Sequence, residues 1–274
     1  MSRNLQRLLS FVTIPFDYPA IELKDSIGTK DYLGNIPANV FQTWETRMLT
    51  RRLHTSVSKF RELNPELSFK LFDAEARDAY MEEHWSQRDI FSVYKDANFG
   101  PLKADVFRYC ILFERGGFYF DISKGVSRPL REFIEPDSNE LLSFEGNLSH
   151  REAPKSLDGR LKKPQHLVAQ WGFGFAPGHR ILELQIQSIE KGQGAYRNRS
   201  FINPKAAILE FSGPIPFTES VWEFLSENSN HTMNQTEVDF NGAGIYTLPG
   251  SAGRYRQSAS YVHSPASQIL SDEN

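Results

Sequence analysis

The chain has 274 residues, 39% hydrophobic and 13% aromatic, a size that suits one α/β domain with excursions and allows a substantial core. Its 31 basic residues face 34 acidic ones, a formal charge of −3, and they are dispersed rather than striped, so no nucleic-acid surface is expected. The single cysteine, Cys110, excludes an intrachain disulfide and any cysteine-rich metal site, and it fits a reducing, cytoplasmic setting.

Residues 1–19 set Arg3 and Arg7 among Leu5, Leu8, Leu9, Phe11 and Val12. This pattern predicts a short helix packed on the body, with an interfacial helix lying on the inner face of a membrane as the alternative. No run is long enough for a transmembrane span, and this one is too short and interrupted for a signal peptide. The sequons at Asn147, Asn198, Asn230 and Asn234 carry no weight without a secretion signal.

Residues 36–44 read as a first strand, with Pro37 at its start and Val40, Gln42 and Trp44 on one face. A helix follows over 48–63, where Met48/Leu49, Leu53, Val57, Phe60 and Leu63 recur at helical spacing until Asn64-Pro65 stops it. Residues 67–72 form a second strand, and Asp73 caps a helix to about residue 84. Pro101 opens a third helix where its missing N–H is no loss, and Gly116-Gly117 ends it. The short apolar strand 118–122 then carries Asp121 at its carboxyl end. Further strands are predicted at 140–144, 167–175 and 258–262, and helices at 177–189, 203–211 and 218–225. Asn241-Gly242 is a hairpin-type turn signal, and the polar stretch 146–164 has the composition of a lid. The last residues are expected to fray. Alternating strand and helix predicts an α/β fold whose mostly parallel central sheet carries helices on both faces. Ligands then bind beyond the carboxyl ends of the strands, where Trp44 and Asp121 fall.

Asp105 and Arg108 are three apart on the third helix and share a face. Alone, they would be read as a surface ion pair contributing well under ~1 kcal/mol. The Gly-Gly turn changes that balance, because it brings the next strand back alongside the helix and Asp121 into the same crevice. A sugar diphosphate needs carboxylates for its hydroxyls, a guanidinium fork for sugar or phosphate oxygens, and a cation on the departing diphosphate. A hard metal ion held by carboxylates usually supplies that cation.

The blocks that carry this chemistry are Ile36-Pro37, Val40, Gln42 and Trp44, then Ala104-Asp105, Arg108, Leu112, Gly116-Gly117, Tyr119 and Asp121. Later come Ala176-Pro177-Gly178-His179, Ser212-Gly213-Pro214 and His263-Ser264. In these blocks, spread over 36–264, the chain resembles glycosyltransferase family 32, the group with a DXD sugar-binding region that includes the yeast initiating α-1,6-mannosyltransferase. It is more distantly similar to the glucosylating domains of clostridial toxins. The resemblance implies a GT-A-type fold with a Rossmann-like nucleotide half over 36–264, flanked by an N-terminal extension (1–35) and a C-terminal tail (265–274).

The same resemblance implies a retaining transfer of a hexose from a UDP- or GDP-sugar to a hydroxyl of a saccharide or glycan, and by family analogy a place in polysaccharide assembly. Asp105 and Arg108 would hold the donor sugar, and Asp121 the ribose and the metal region. Gln42, Trp44, Tyr119 and Ser264 would contact the nucleotide and its diphosphate, and Asp121, Ser123 and His263 would hold Mn2+ or Mg2+. Plainer readings compete. Trp44 and Tyr119 could be core, and Trp171 and Phe173 are strand residues before they are an acceptor platform. His179 reads as a helix cap.

The departure from the pattern is Ser123, where the second aspartate of Asp-x-Asp is expected, followed by Lys124. A neutral hydroxyl is a poorer ligand for a hard cation than a carboxylate. The expectation is a metal held more weakly by Asp121, His263, water and the diphosphate itself. Lys124 could instead neutralise the diphosphate, although strand alternation would turn it away from Ser123. The alternative function is a sugar-nucleotide-binding protein weakened in catalysis by a decayed metal site.

Overall fold

The computed structural model describes residues 20–29, 34–251 and 266–272. The predicted helix in 1–19, the strand 258–262, and both His263 and Ser264 lie outside the described residues.

The central sheet holds strands β1 (Asn39–Thr43), β2 (Ser68–Phe72), β3 (Gly117–Phe120), β4 (Glu140–Leu148), β5 (His166–Val168), β6 (Gly172–Phe175) and β7 (Gln235–Glu237). Their order is β7-β4-β6-β3-β1-β2, with β5 pairing β4 off this path. β1 runs parallel to both β2 and β3, and β7 runs parallel to β4. β6 is antiparallel to β3 and to β4. The helices are α1 (Arg51–Glu62), α2 (Ala74–Trp85), α3 (Asp89–Lys95), α4 (Gly100–Arg115), α5 (Arg180–Gly192), α6 (Pro204–Phe211) and α7 (Pro214–Glu227). The chain leaves β1 for β2 on one side and returns to β3 on the other. The strand order therefore reverses at β1, and a crevice opens beyond the carboxyl ends of β1 and β3.

Alternation along the strands splits the core between the two faces. Phe41, Tyr119, Phe173 and Phe175 point into the cluster formed with α2 to α7. Val40, Phe118 and Phe120 point the opposite way, to Phe60 of α1 and to Phe133, Trp171 and Phe240. α4 is buried continuously from Asp105 to Leu112, so Asp105 and Arg108 are set inside the fold rather than on a solvent face. Gly116 and Gly117 adopt φ of 61° and 101°. A Cβ at Gly116 would lie 2.6 Å from Cδ of Pro177, and one at Gly117 2.6 Å from the Asn39 carbonyl oxygen. Only glycine turns the chain from α4 into β3 this tightly.

Several boundaries differ from the sequence reading, each for a local reason. Met48–Leu49 pairs antiparallel with Ile21–Glu22, and Thr50 caps α1 by accepting from the Leu53 N–H at 3.3 Å. α3 was not foreseen; its Ile90, Val93 and Tyr94 are buried, but seven residues are too few for a periodic signal. The stretch 167–175 is two strands, because Ala169–Trp171 steps out between β5 and β6, with the Ala169 N–H on the Ser143 carbonyl at 2.8 Å. β3 ends at Phe120. Residues 121–124 form a turn closed by the Lys124 N–H on the Asp121 carbonyl at 2.9 Å, so strand alternation does not reach Lys124.

The tail is not frayed where described. Ser267–Gln268 pairs with Ser200–Phe201, and Ile269 and Leu270 are fully buried. The stretch 146–164 is a wall rather than a lid. Arg160 ties it to the carbonyl of Leu225 in the last turn of α7 and to those of Asn228 and His231 just after it, and Leu157 and Leu161 are buried. Instead of a hairpin turn, Asp239, Phe240 and Asn241 form a left-handed run with φ of 48°, 52° and 59°. Among the described residues no helix is long and apolar enough to cross a membrane.

Candidate active site

The site is built on α4 and the end of β3. Arg108 reaches from α4 to both carboxylates, 3.0 Å from Oδ1 of Asp105 and 3.2 Å from Oδ1 of Asp121. Its remaining donors go to main-chain carbonyls, Nη1 to Gln170 at 2.8 Å and Nε to Ala104 at 3.2 Å. Its guanidinium lies over the Tyr119 ring, 4.6 Å from the centroid, and the Tyr119 hydroxyl donates to Asp121 Oδ1 at 3.1 Å. Ser212 Oγ, in the turn before α7, donates to Asp105 Oδ2 at 2.7 Å. Gln170 Nε2 donates to the Ser212 carbonyl at 2.9 Å and to the Tyr109 hydroxyl.

The surface-pair reading of Asp105 and Arg108 fails on burial, since their side chains are 7% and 6% exposed. Removing two charges from water costs several kcal/mol per ion, which their attraction repays only with full hydrogen bonding. A cluster kept on such terms beside a cavity points to ligand binding. Burial pushes the Asp105 carboxyl up to about 7, against the opposing pull of Arg108 and the Ser212 hydroxyl. Burial works against the Arg108 charge, but the neighbouring Tyr119, Asp121 and Asp105 outweigh it and hold the guanidinium protonated.

The cluster lines a cavity of about 990 Å3 at the carboxyl ends of β1 and β3. Asp121 is its open member, with 31% of its side chain exposed. Trp44 stands half-buried on the same cavity, and Tyr119 and Ser123 also line it. Gln42 does not belong to this wall. It is fully buried one residue before the strand end, and its Oε1 accepts from Arg61 of α1 at 3.0 Å, so its assignment to the nucleotide is corrected. Tyr119 is 1% exposed, and its ring serves chiefly as the platform beneath Arg108. His179 is the expected cap, its Nδ1 accepting from the Ile181 N–H at 3.3 Å. Cys110 is fully buried, and burial pushes its thiol up.

Among the cavity residues that escaped the sequence reading are Arg77, Gln170, Glu145 and Lys205. Arg77 of α2 is buried, with Nε on the Tyr94 hydroxyl at 3.0 Å, Nη1 on Thr43 Oγ1 at 3.2 Å and Nη2 3.5 Å from Glu45. The signal was there: Arg77 shares the buried stripe of Tyr80, Met81 and Trp85. Gln170 reaches the site only through the step between β5 and β6. Glu145, 7% exposed on β4, lines the cavity with Oε2 accepting from Asn147 at 3.2 Å, and burial raises its carboxyl above the usual range. Lys205, exposed in the first turn of α6, also lines it.

The described residues do not fit a divalent cation. Asp121 Oδ1 is already shared by Arg108 and Tyr119, Ser123 brings no charge, and the next residue is a buried lysine on the same cavity. Among the described residues no three His, Cys, Asp or Glu side chains are grouped to hold a metal. Of the three residues assigned to the metal, Asp121 and Ser123 line the cavity, and the third, His263, lies outside the described residues.

Residues 50–144 match the family described as "Glycosyltransferase sugar-binding region containing DXD motif". That stretch is similar to a glycosyltransferase sugar-binding region. The match spans α4, β3 and the Asp121–Ser123 turn, so the glycosyltransferase resemblance rests on the same residues as the buried cluster. Curated relatives include the initiation-specific α-1,6-mannosyltransferases of Candida albicans (26% identical, 74% of this chain and 55% of the relative) and Schizosaccharomyces pombe (23%, 71% and 50%). Inositol phosphoceramide mannosyltransferase 2 of S. pombe is 25% identical over 81% of this chain and 56% of its own length. The chain spans about half the length of the curated relatives it matches. Among solved structures, the PaToxG glycosyltransferase aligns with a TM-score of 0.51 at 13% identity, covering 71% of this chain and 72% of that one. The fold is thus the GT-A type, an α/β sandwich in which β1, β2 and β3 run parallel.

Proposed function

We propose that the cavity binds a nucleoside-diphosphate sugar and that the chain transfers the hexosyl group, with retention, to a hydroxyl of a saccharide or glycan acceptor. One observation carries this reading: a largely buried Asp105–Arg108–Asp121 cluster opens through Asp121 onto a cavity of about 990 Å3 at the sheet's switch point. That volume lies within the range of pockets that enclose a small-molecule ligand.

Trp44 supplies a flat face for the base. Asp105 and Asp121 accept from sugar or ribose hydroxyls, and Arg108 holds both carboxylates in place. In the transfer, the bond from the anomeric carbon to the phosphate oxygen breaks with its electron pair going to the diphosphate. A bond to the acceptor oxygen forms, and the released diphosphate takes up the acceptor proton. Ile208, Leu209, Pro214 and Ile215 give the α6–α7 wall an apolar surface for the acceptor. The relatives' names make mannose the first hexose to test, with GDP- and UDP-sugars compared.

Thermal unfolding in the presence of a panel of UDP- and GDP-sugars tests the proposal. One donor should raise the midpoint saturably and should be consumed with release of its nucleoside diphosphate. A panel with no effect on the midpoint refutes the donor site. Saturable binding without any release leaves a sugar-nucleotide-binding protein.

A further inference from the structure

We propose that the Lys124 ammonium binds the diphosphate of the donor and takes the place of the divalent metal. This rests on the donor-site reading above and concerns how that site meets the ligand's charge.

The geometry comes from the turn after β3. Leu248 donates its N–H to the Ser123 carbonyl at 2.8 Å, and Gly125–Val126 pairs antiparallel with Gly244–Ile245, in register Gly125 to Ile245. This ribbon sets Lys124 against Tyr246, whose carbonyl accepts from Nζ and whose ring lies beneath the ammonium. Lys124 is 6% exposed, yet it lines the same cavity as Asp121 and Ser123. The carboxyls of Glu145 and Asp239 lie within reach of its charge.

A buried ammonium this close to the second position of the Asp-x-Asp pattern repels a divalent cation there and attracts a phosphate oxygen. A lysine supplies a compact point charge for that purpose. The serine and the lysine then explain each other: the carboxylate that would have held a metal is absent where a fixed cation stands.

The test is calorimetric titration of UDP and of GDP into the full chain, in Mn2+ and in EDTA. The nucleotide that binds should do so with the same affinity in both. Lys124→Gln should weaken it by about tenfold or more, as for loss of a charge-assisted hydrogen bond, and Lys124→Arg should retain most of it. The double variant Ser123→Asp/Lys124→Gln should bind in Mn2+ and lose affinity in EDTA. Wild-type affinity that collapses in EDTA overturns the inference without touching the donor site, and needs no variant to be folded. Unchanged binding by folded Lys124→Gln also overturns it. If neither nucleotide binds in either buffer, the donor-site reading fails and takes this inference with it.

Discussion

Two buried charge networks in this molecule look alike and differ in one respect. Glu140 at the start of β4 is 1% exposed and accepts from His179 and His231 Nε2, both at 3.1 Å, and from the Asn234 N–H at 3.0 Å. It ties the start of α5 to the loop before β7, and each of its oxygens is occupied. The Asp105–Arg108–Asp121 cluster is as deeply set on α4, yet Asp121 stays partly open to the cavity. Burial and ion pairing alone therefore do not mark a functional site; an open member on a cavity does.

The largest effect that would sharpen this contrast is expected from Arg108→Ala. It leaves Asp105 buried without its counter-charge and should lower stability by about 3–5 kcal/mol in denaturant titration, while abolishing donor binding. Arg108→Lys should recover part of the stability but not the binding, because the three-way fork is lost. Donor binding by a folded Arg108→Ala protein would break the contrast from the functional side.

Glu140→Gln should act on stability alone, by about 1–3 kcal/mol, with turnover per folded molecule unchanged. Burial works against the Glu140 charge, but hydrogen bonds from His179 and His231 win and hold its carboxyl below the usual value. A depressed carboxyl stabilises the fold above its unfolded pKa, and that contribution is lost as pH falls through the folded value. Wild type should therefore unfold in acid more steeply than Glu140→Gln. Parallel acid-unfolding curves, or a loss of turnover in the folded variant, would contradict the structural role.

Asp105 has the opposite sign. Its carboxyl is raised to about 7 by burial, so the folded state favours the protonated form. That preference stabilises the fold fully below about pH 4 and is lost as pH rises through about 7. Stability measured against pH should fall over this window in wild type relative to Asp105→Asn. Curves of equal slope would remove the burial argument.

The smallest effect is expected from Ser123→Asp alone, where the new carboxylate meets Lys124. Mn2+ should raise its melting temperature in the presence of a nucleoside diphosphate by no more than about 2–4 °C. A larger rise would restore the metal to the account.

The central block was legible in the sequence because its chemistry is local. Asp105 and Arg108 share a helix face, Gly116-Gly117 fixes the turn, and Asp121 follows within one short strand. Asp73, His179 and Asn203 were readable as helix starts, and each accepts from a main-chain N–H as expected. What stayed hidden depends on contacts distant in sequence. Gln170 reaches Ser212 only because the chain steps out between β5 and β6, and Glu145 meets the cavity only through sheet order. Gln42 shows the reverse failure: a strand position that matches the family pattern turned out to face Arg61 and the interior. Lys124 was discounted by strand alternation, but the strand ends at Phe120, two residues earlier than the sequence suggested.

The central claim is that the cluster facing the cavity holds a sugar nucleotide for transfer. Nucleoside-diphosphate release from a panel of UDP- and GDP-sugars, measured on wild type, Arg108→Lys and Glu140→Gln under one set of conditions, tests it most directly. The account predicts saturable release by wild type and Glu140→Gln with at least one donor, and none by Arg108→Lys. Equal release by wild type and Arg108→Lys, or no release by wild type with any donor, would contradict it.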